Sequence, residues 1–277
     1  MNYKSISDLN RDVKRWIAEL PEVDLVAGIP RSGLLAANLI ALYLNLPLTD
    51  VEGLCEGRVI QSGQRCGRRP DFSKRMRVLV VDDSVSSGRT MTRVRERLER
   101  AGLPHDIRYA AVYITPEGSK YVDYWYEVVD LPRVFEWNVM HHDILANSCV
   151  DLDGVLCRDP TEEENDDGER YVSFIKSVKP LFRPTKPIGY IVTCRLEKYR
   201  ELTEDWLRRH GIRYNRLVML DLPDKETRQR LNIHAEFKAQ VYEETGAELF
   251  IESSLQPVSY THLRAHETSL HLVCRLL

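Results

Sequence analysis

The feature that most constrains this chain is a set of short, almost wholly apolar runs separated by helix-length segments. "DLVAGI" (Asp24–Ile29), "RVLVVDD" (Arg77–Asp83), "IRYAAVYI" (Ile107–Ile114) and "YEVVDL" (Tyr126–Leu131) read as strands, the first two buried. Between them lie helical patterns. Ile6, Leu9, Val13, Trp16, Ile17 and Leu20 keep helical spacing before Pro21, and "LLAANLIALYL" (Leu34–Leu44) is an apolar helix. A third helix carries Met91, Val94, Leu98 and Ala101 on one face and stops at Gly102. Strands that alternate with helices predict a doubly wound parallel sheet. Val51–Lys74 has no clear period and is expected to be a long functional loop.

A second series begins near Ala146. "SCVDLDGVL", "GYIVTC", "RLVML" and "ELFIES" read as strands, with helices expected over Leu196–His210 and Leu231–Thr245. The fold class is therefore α/β, with two doubly wound domains over residues 1–145 and 146–257. "VSYTHLRAHET" and "HLVCRLL", within Val258–Leu277, resemble a translated sequencing-library adapter. That resemblance implies a non-native tail over 258–277 and a second domain that is C-terminally truncated.

Composition narrows the partners. A net charge of -3 gives no electrostatic case for nucleic acid or membrane binding, and no apolar run approaches the ~18 residues of a membrane span. Six cysteines without a C-x-x-C pair suit reduced thiols, and a polar, amphipathic start is unlike a secretory signal. A cytoplasmic location is expected.

The chemistry gathers at two strand ends. In "VLVVDDSVSSGRT" (Val78–Thr90), Asp82 and Asp83 end a strand, where they suit vicinal hydroxyls or a hard cation. Ser86–Thr90 lead into a helix N-terminus, whose N–H groups and hydroxyls can cradle a phosphate, and Gly88 permits the turn. A polar turn with a helix cap is the plainer alternative. The thirteen residues resemble, at every position, the phosphoribosyl-pyrophosphate signature of type I phosphoribosyltransferases.

That resemblance implies that Asp82 and Asp83 hold the ribose hydroxyls. Ser86, Ser87, Gly88, Arg89 and Thr90 wrap the 5-phosphate. "GIPRSG" (Gly28–Gly33) stands for the pyrophosphate loop, with Arg31, Ser32 and Gly33 as contacts and a non-proline cis peptide expected there. Arg58, Arg65, Arg68 and Arg69 fall where the family carries a mobile lid. Pyrophosphate leaves C1 of the ribose with the help of Mg²⁺. Enzymes for 6-oxopurines usually carry an acidic residue where this chain has Ser86, which counts against a hypoxanthine or guanine enzyme. Phe135 and Trp137 are candidates to stack on a base, against core packing. His141 and His142, adjacent on an extended chain, point to opposite faces and make a poor metal pair.

"VDLDGVL" (Val150–Leu156) puts two carboxylates near one strand end, where one can attack phosphorus and the other shuttle a proton. A calcium-type or turn sequence would look similar. With Thr193, Lys238 and Glu252, its order and spacing resemble a haloacid-dehalogenase (HAD)-like hydrolase. The resemblance implies Asp151 as nucleophile, Asp153 as acid/base, Thr193 and Lys238 as phosphate contacts, and Mg²⁺ held by Asp151, the Asp153 carbonyl and Glu252. Arg195 would meet the substrate. Ser253 and Ser254 stand where the family usually has further acid. The short segment between Asp153 and Thr193 has no room for a large cap domain, so the site is expected to be open or covered in an oligomer such as a homodimer.

The expected activity is phosphoribosyl transfer from phosphoribosyl pyrophosphate to a small-molecule acceptor, joined to phosphatase action on a phosphate ester. The alternative is a regulator whose first domain binds phosphoribosyl pyrophosphate or a nucleotide without catalysis.

Overall fold

The computed structural model describes residues 1–60, 65–66 and 69–253, together with the backbone of Leu272–Arg275. Leaving Met1 aside, the chain folds as two compact units, Asn2–Arg133 and Val134–Leu277.

The first unit runs β1 (Asn2–Lys4), α1 (Ile6–Trp16), β2 (Leu25–Gly28), α2 (Ser32–Leu44), β3 (Leu48–Asp50), α3 (Val51–Glu56), β4 (Arg77–Val85), α4 (Arg89–Ala101), β5 (Asp106–Ile114) and β6 (Tyr124–Val128). Its five-stranded sheet has the order β3-β2-β4-β5-β6, parallel throughout. Leu25, Val26 and Ala27 on β2 and Val78–Val81 on β4 have no exposed surface, because both faces of the sheet are covered. That cover is why these runs are continuous rather than alternating. Ser5 caps α1, accepting from the Asp8 N–H while the Asp8 carboxylate accepts from the Ser5 N–H.

The order reverses between β2 and β4. The chain leaves β2 outward to β3, then returns to β4 on the other side of β2. Ligand crevices in such sheets form at the carboxyl ends of the strands flanking this switch point.

Two expectations need correction here. Val51–Lys74 is not all loop, because α3 occupies its start. The Asp50 carboxylate accepts from the Gly53 N–H, and Gly57 ends the helix with φ 67°. Also, β4 does not end at Asp83. Ser84 and Val85 continue its pairing with Tyr113 and Ile114 on β5.

β7 (Arg133–Phe135), like β1, lies outside both five-stranded sheets. The second unit continues with β8 (Ser148–Asp151), α5 (Glu169–Ser177), β9 (Ile188–Leu196), α6 (Arg200–Arg209), β10 (Tyr214–Leu220), α7 (Lys225–Leu231), α8 (His234–Thr245), β11 (Leu249–Glu252) and β12 (Leu272–Arg275). Its sheet has the order β10-β9-β8-β11-β12, again parallel. The switch point here lies between β8 and β11, so the ends of these strands, Asp151 and Glu252, face one crevice. Cys149, Val192, Tyr242, Ala247 and Phe250 pack one side of the sheet.

The helix expected over Leu231–Thr245 begins three residues later, as α8 at His234, because Leu231 ends α7, which Asn232 closes in a left-handed conformation (φ 49°). β9 runs to Leu196 and delays α6 to Arg200. A non-native tail over 258–277 is expected to pack poorly. Instead the backbone of Leu272–Arg275 pairs in parallel with Leu249–Glu252. The rest of Ser254–Leu277 lies outside the described residues.

Candidate functional site

In the first unit the two segments singled out by sequence meet at the switch point. Pro30–Arg31 is a cis peptide, and α2 begins directly after it. Gly33 then sits against β4. A β-carbon there would lie 2.8 Å from the Asp82 Oδ1 and 2.8 Å from the Val81 carbonyl oxygen. Only glycine lets the helix start approach the acidic pair this closely. Arg31 is exposed and Ser32 partly so.

Asp82 and Asp83 are almost fully buried, at 8% and 3% exposure. The Asp83 N–H donates to Asp82 Oδ1 at 3.0 Å. Burial, and then the charge of Asp83, push the Asp82 carboxyl up to about 8. Burial holds the Arg133 guanidinium below its ordinary value, with the Asp83 charge opposing that shift.

Ser86 and Ser87 follow β4, and Gly88 is the N-cap of α4 with φ 69°. The Tyr121 ring fills the space a side chain at 88 would need, within 2.3 Å of the β-carbon position. The first N–H groups of α4 therefore stand at the chain segment that carries Ser86–Thr90. Arg89 and Thr90 are exposed. Of the lid arginines, Arg58 donates to Glu56 at 3.0 Å, Arg65 and Arg69 are exposed, and Arg68 lies outside the described residues.

The second unit presents an open cavity of about 310 Å³. Asp151, Asp153, Thr193, Lys238 and Glu252 all line it. The five sequence-predicted residues of this site are thus brought together. The Lys238 ammonium donates to Asp151 Oδ2 and to Glu252 Oε2, each at 2.7 Å. Asp151 Oδ1 accepts from the Leu152 N–H at 2.8 Å. Burial pushes the Asp151 carboxyl well up, the Lys238 charge opposes that shift, and the Glu252 and Asp153 charges add to it. Burial lowers Lys238, but the Asp151 and Glu252 charges outweigh it and raise its affinity for the proton. Thr193 is buried and its Oγ1 accepts from the Arg195 N–H at 3.2 Å.

Arg195 does not face a substrate freely. Its Nε and Nη2 donate to the two Asp153 oxygens at 2.9 and 2.6 Å, in a fork-to-carboxylate pair. Among the described residues, no group of three or more His, Cys, Asp or Glu side chains could hold a metal ion. The donors present are still those of a hard cation. Asp151 and Glu252 supply buried carboxylate oxygens, and a further donor would be a main-chain oxygen such as that of Asp153.

Sequence reasoning missed much of this cavity's lining, including Asp159, Asn165, Tyr171, Arg228 and His234. Arg228 lies in "KETRQRL", which reads as a solvated helix face, so nothing local marks it. Other candidates go elsewhere. Phe135 and Trp137 stack on each other with centroids 4.9 Å apart. His141 meets Thr185 at 3.1 Å, while the His142 ring accepts from the Ile144 N–H. No helix among the described residues is long and apolar enough to cross a membrane.

The phosphoribosyl transferase domain family matches residues 2–145. A xanthine-guanine phosphoribosyltransferase of Chromohalobacter salexigens is 34% identical over 140 residues, 49% of this chain and 82% of that protein. Among solved structures, a purine phosphoribosyltransferase from Pyrococcus horikoshii is 25% identical, with a TM-score of 0.37, covering 49% of this chain and 92% of that one. A Helicobacter pylori xanthine-guanine-hypoxanthine phosphoribosyltransferase is 14% identical with a TM-score of 0.39, covering 50% and 93%. With its family match spanning the switch-point loop, the acidic pair and the α4 N-terminus, the chain belongs to the phosphoribosyl transferase domain family and is a phosphoribosyltransferase.

Proposed function

We propose that the domain over residues 1–145 transfers the phosphoribosyl group of phosphoribosyl pyrophosphate to a purine, and that the domain from 146 onward is a HAD-like phosphomonoesterase. The close approach of Gly33 to Asp82 supports the first part. It sets the pyrophosphate loop beside the carboxylates that would accept from the ribose hydroxyls. Ser86, Ser87, Gly88, Arg89 and Thr90 then take the 5-phosphate at the α4 N-terminus. The C1–oxygen bond to pyrophosphate breaks, a C1–nitrogen bond to the base forms as that nitrogen releases its proton to solvent or to the departing pyrophosphate, and Arg31 with the Ser32 and Gly33 backbone receives the departing group.

The acceptor rests on two observations that pull apart. The relative at 34% identity is a xanthine-guanine enzyme. Ser86, however, offers a neutral hydroxyl where 6-oxopurine enzymes usually place a carboxylate. We favour a purine held at this position by hydrogen bonding without charge.

The Lys238 ammonium seated between Asp151 and Glu252 supports the second part. Asp151 attacks the phosphorus of an ester, and the ester oxygen leaves with a proton from Asp153, which carries that proton once one of its oxygens is released from Arg195. Water then hydrolyses the aspartyl phosphate, with Asp153 taking the proton back. Thr193 and Lys238 hold the phosphoryl oxygens. Magnesium, when bound, would neutralise pyrophosphate oxygens in the first domain and phosphoryl oxygens in the second. A ribosyl 5-phosphate made by the first reaction would suit the second where it carries a further anionic group.

The test is to incubate the protein with phosphoribosyl pyrophosphate, magnesium and a panel of purines, pyrimidines and amides. Pyrophosphate release should require a purine. In parallel, phosphate release from simple esters should stop in Asp151→Asn. Binding of phosphoribosyl pyrophosphate without turnover on any acceptor would favour a regulator instead.

A further inference from the structure

One buried cation in the second-unit cavity has no countercharge among the described residues. Arg228 is only 8% exposed. Its Nη1 donates to the Cys194 carbonyl at 2.8 Å, and its Nη2 reaches Asn165 Oδ1 at 3.5 Å. Both acceptors are neutral. Among the described residues, its fully buried Nε has no hydrogen-bond partner, and neither does the buried Nε2 of His234. Both residues line the cavity that holds Asp151 and Lys238.

The other buried cations of this cavity are paired. Lys238 meets Asp151 and Glu252, and Arg195 meets Asp153. Among the described residues, Arg228 forms no ion pair with a carboxylate. A buried guanidinium without an anion, with a donor left over, is costly to fold around. It is explained if the anion arrives with the ligand.

His234 fits the same role. Burial and the charges of Arg228 and Lys238 hold its imidazole below its ordinary value, so it is neutral near pH 7 and offers one N–H. A neutral donor beside a guanidinium adds a hydrogen bond without adding to the repulsion between cations.

We propose that Arg228 and His234 bind a second anionic group of the substrate, so that the second unit takes phosphate esters carrying a carboxylate or another phosphate beyond the scissile one. This deepens the phosphomonoesterase reading and rests on it. Arg228 sets specificity and takes no part in the bond-breaking step.

The experiment combines hydrolysis and binding, with magnesium present. The esters are ethyl phosphate, 2-phosphoglycolate and ethylene glycol bisphosphate. The binding probes are ethylphosphonate, 3-phosphonopropanoate and ethane-1,2-diphosphonate, followed by calorimetry. In the natural sequence the two-anion probes should bind at least tenfold more tightly than ethylphosphonate, and the carboxylate and phosphate arms show which anion is preferred. Arg228→Gln should remove that ratio. Asn165→Asp, an isosteric change that sets an internal carboxylate beside the Arg228 guanidinium, should remove it too while keeping Arg228 packed. Arg228→Lys should retain part of it.

Equal binding of all probes would overturn the proposal, as would a ratio that survives both Arg228→Gln and Asn165→Asp. Hydrolysis of all three esters without preference would sink this proposal and leave the phosphomonoesterase reading standing. A preference in binding with no ester hydrolysed would do the reverse. Absence of both binding and hydrolysis would overturn the two together.

Discussion

Gly33 lies so near Asp82 that a β-carbon on the glycine would stand 2.8 Å from the carboxylate oxygen. The loop after β2 and the acidic pair on β4 are therefore built as one surface. Gly33 has ordinary helical geometry, so alanine would meet no backbone penalty, only this contact. Gly33→Ala should force the start of α2 away from β4, at a cost of about 1–3 kcal/mol typical of overpacking. Phosphoribosyl-pyrophosphate affinity should fall at least tenfold by calorimetry. Affinity unchanged within twofold would separate the loop from the ligand.

Asp82 gives a pH-dependent prediction. Its carboxyl is pushed up to about 8, first by burial and then by Asp83. A carboxyl raised in the folded state holds its proton while the unfolded chain has lost it. Stability then declines as pH rises from the ordinary carboxylate range through about 8. Asp82→Asn removes that decline. In the absence of ligand the variant should melt at least ~3 °C above the natural sequence at pH 9, with the gap closing by pH 4. Phosphoribosyl-pyrophosphate binding should weaken at least tenfold in the same variant, about 1.4 kcal/mol. A melting difference that does not change with pH would contradict the burial argument.

Much of this was legible in the sequence because it depends on local pattern. The fully buried run Val78–Val81 could only be a doubly covered strand, and the D-x-D-G of Asp151–Gly154 did fall at a strand end. What escaped depends on contacts far apart in the chain. Asp12, in the charged stretch "NRDVKR", reads as solvated. It is in fact 2% exposed, accepting from the Tyr113 hydroxyl at 2.8 Å and from Lys4 at 3.4 Å. Arg195, four residues from Ile191 on the same strand, looks free to meet a substrate until Asp153 is seen to hold it. Arg228 looks solvated until β9 and the loop at Asn165 close around it. Charge alone does not reveal a partner more than thirty residues away.

Ser86 offers a gain-of-function test of the acceptor. It is partly buried, and its carbonyl accepts from the Thr115 hydroxyl at 3.3 Å, so the backbone there is held. If the purine ring reaches this point, a carboxylate should form a charge-assisted hydrogen bond with it, worth about 1.5–3 kcal/mol. Ser86→Asp should then raise kcat/KM for guanine or xanthine about tenfold or more while leaving phosphoribosyl-pyrophosphate affinity within threefold. Loss of purine activity with retained ligand binding would place the base elsewhere.

Lys238 is expected to matter for stability as much as for phosphate binding. Its ammonium is the cation that Asp151 and Glu252 share at 2.7 Å. Replacing it with methionine keeps most of the volume but leaves buried carboxylates without their partner. Breaking a buried pair in this way costs about 3–5 kcal/mol. Burial already pushes the Asp151 carboxyl up, and the Lys238 charge is what opposes that shift. In Lys238→Met the shift should grow, so the folded state binds a proton that the unfolded chain releases. Stability of the variant should therefore be highest in acid and fall as pH rises through the folded value of Asp151. Urea unfolding should show the variant far below the natural sequence at pH 8 and closer to it at pH 5. Adding Asp151→Asn to Lys238→Met should recover much of the loss at pH 8, since the amide has no charge to strand. A double variant no more stable than Lys238→Met at pH 8 would mean that the ion pair is not what the lysine supplies.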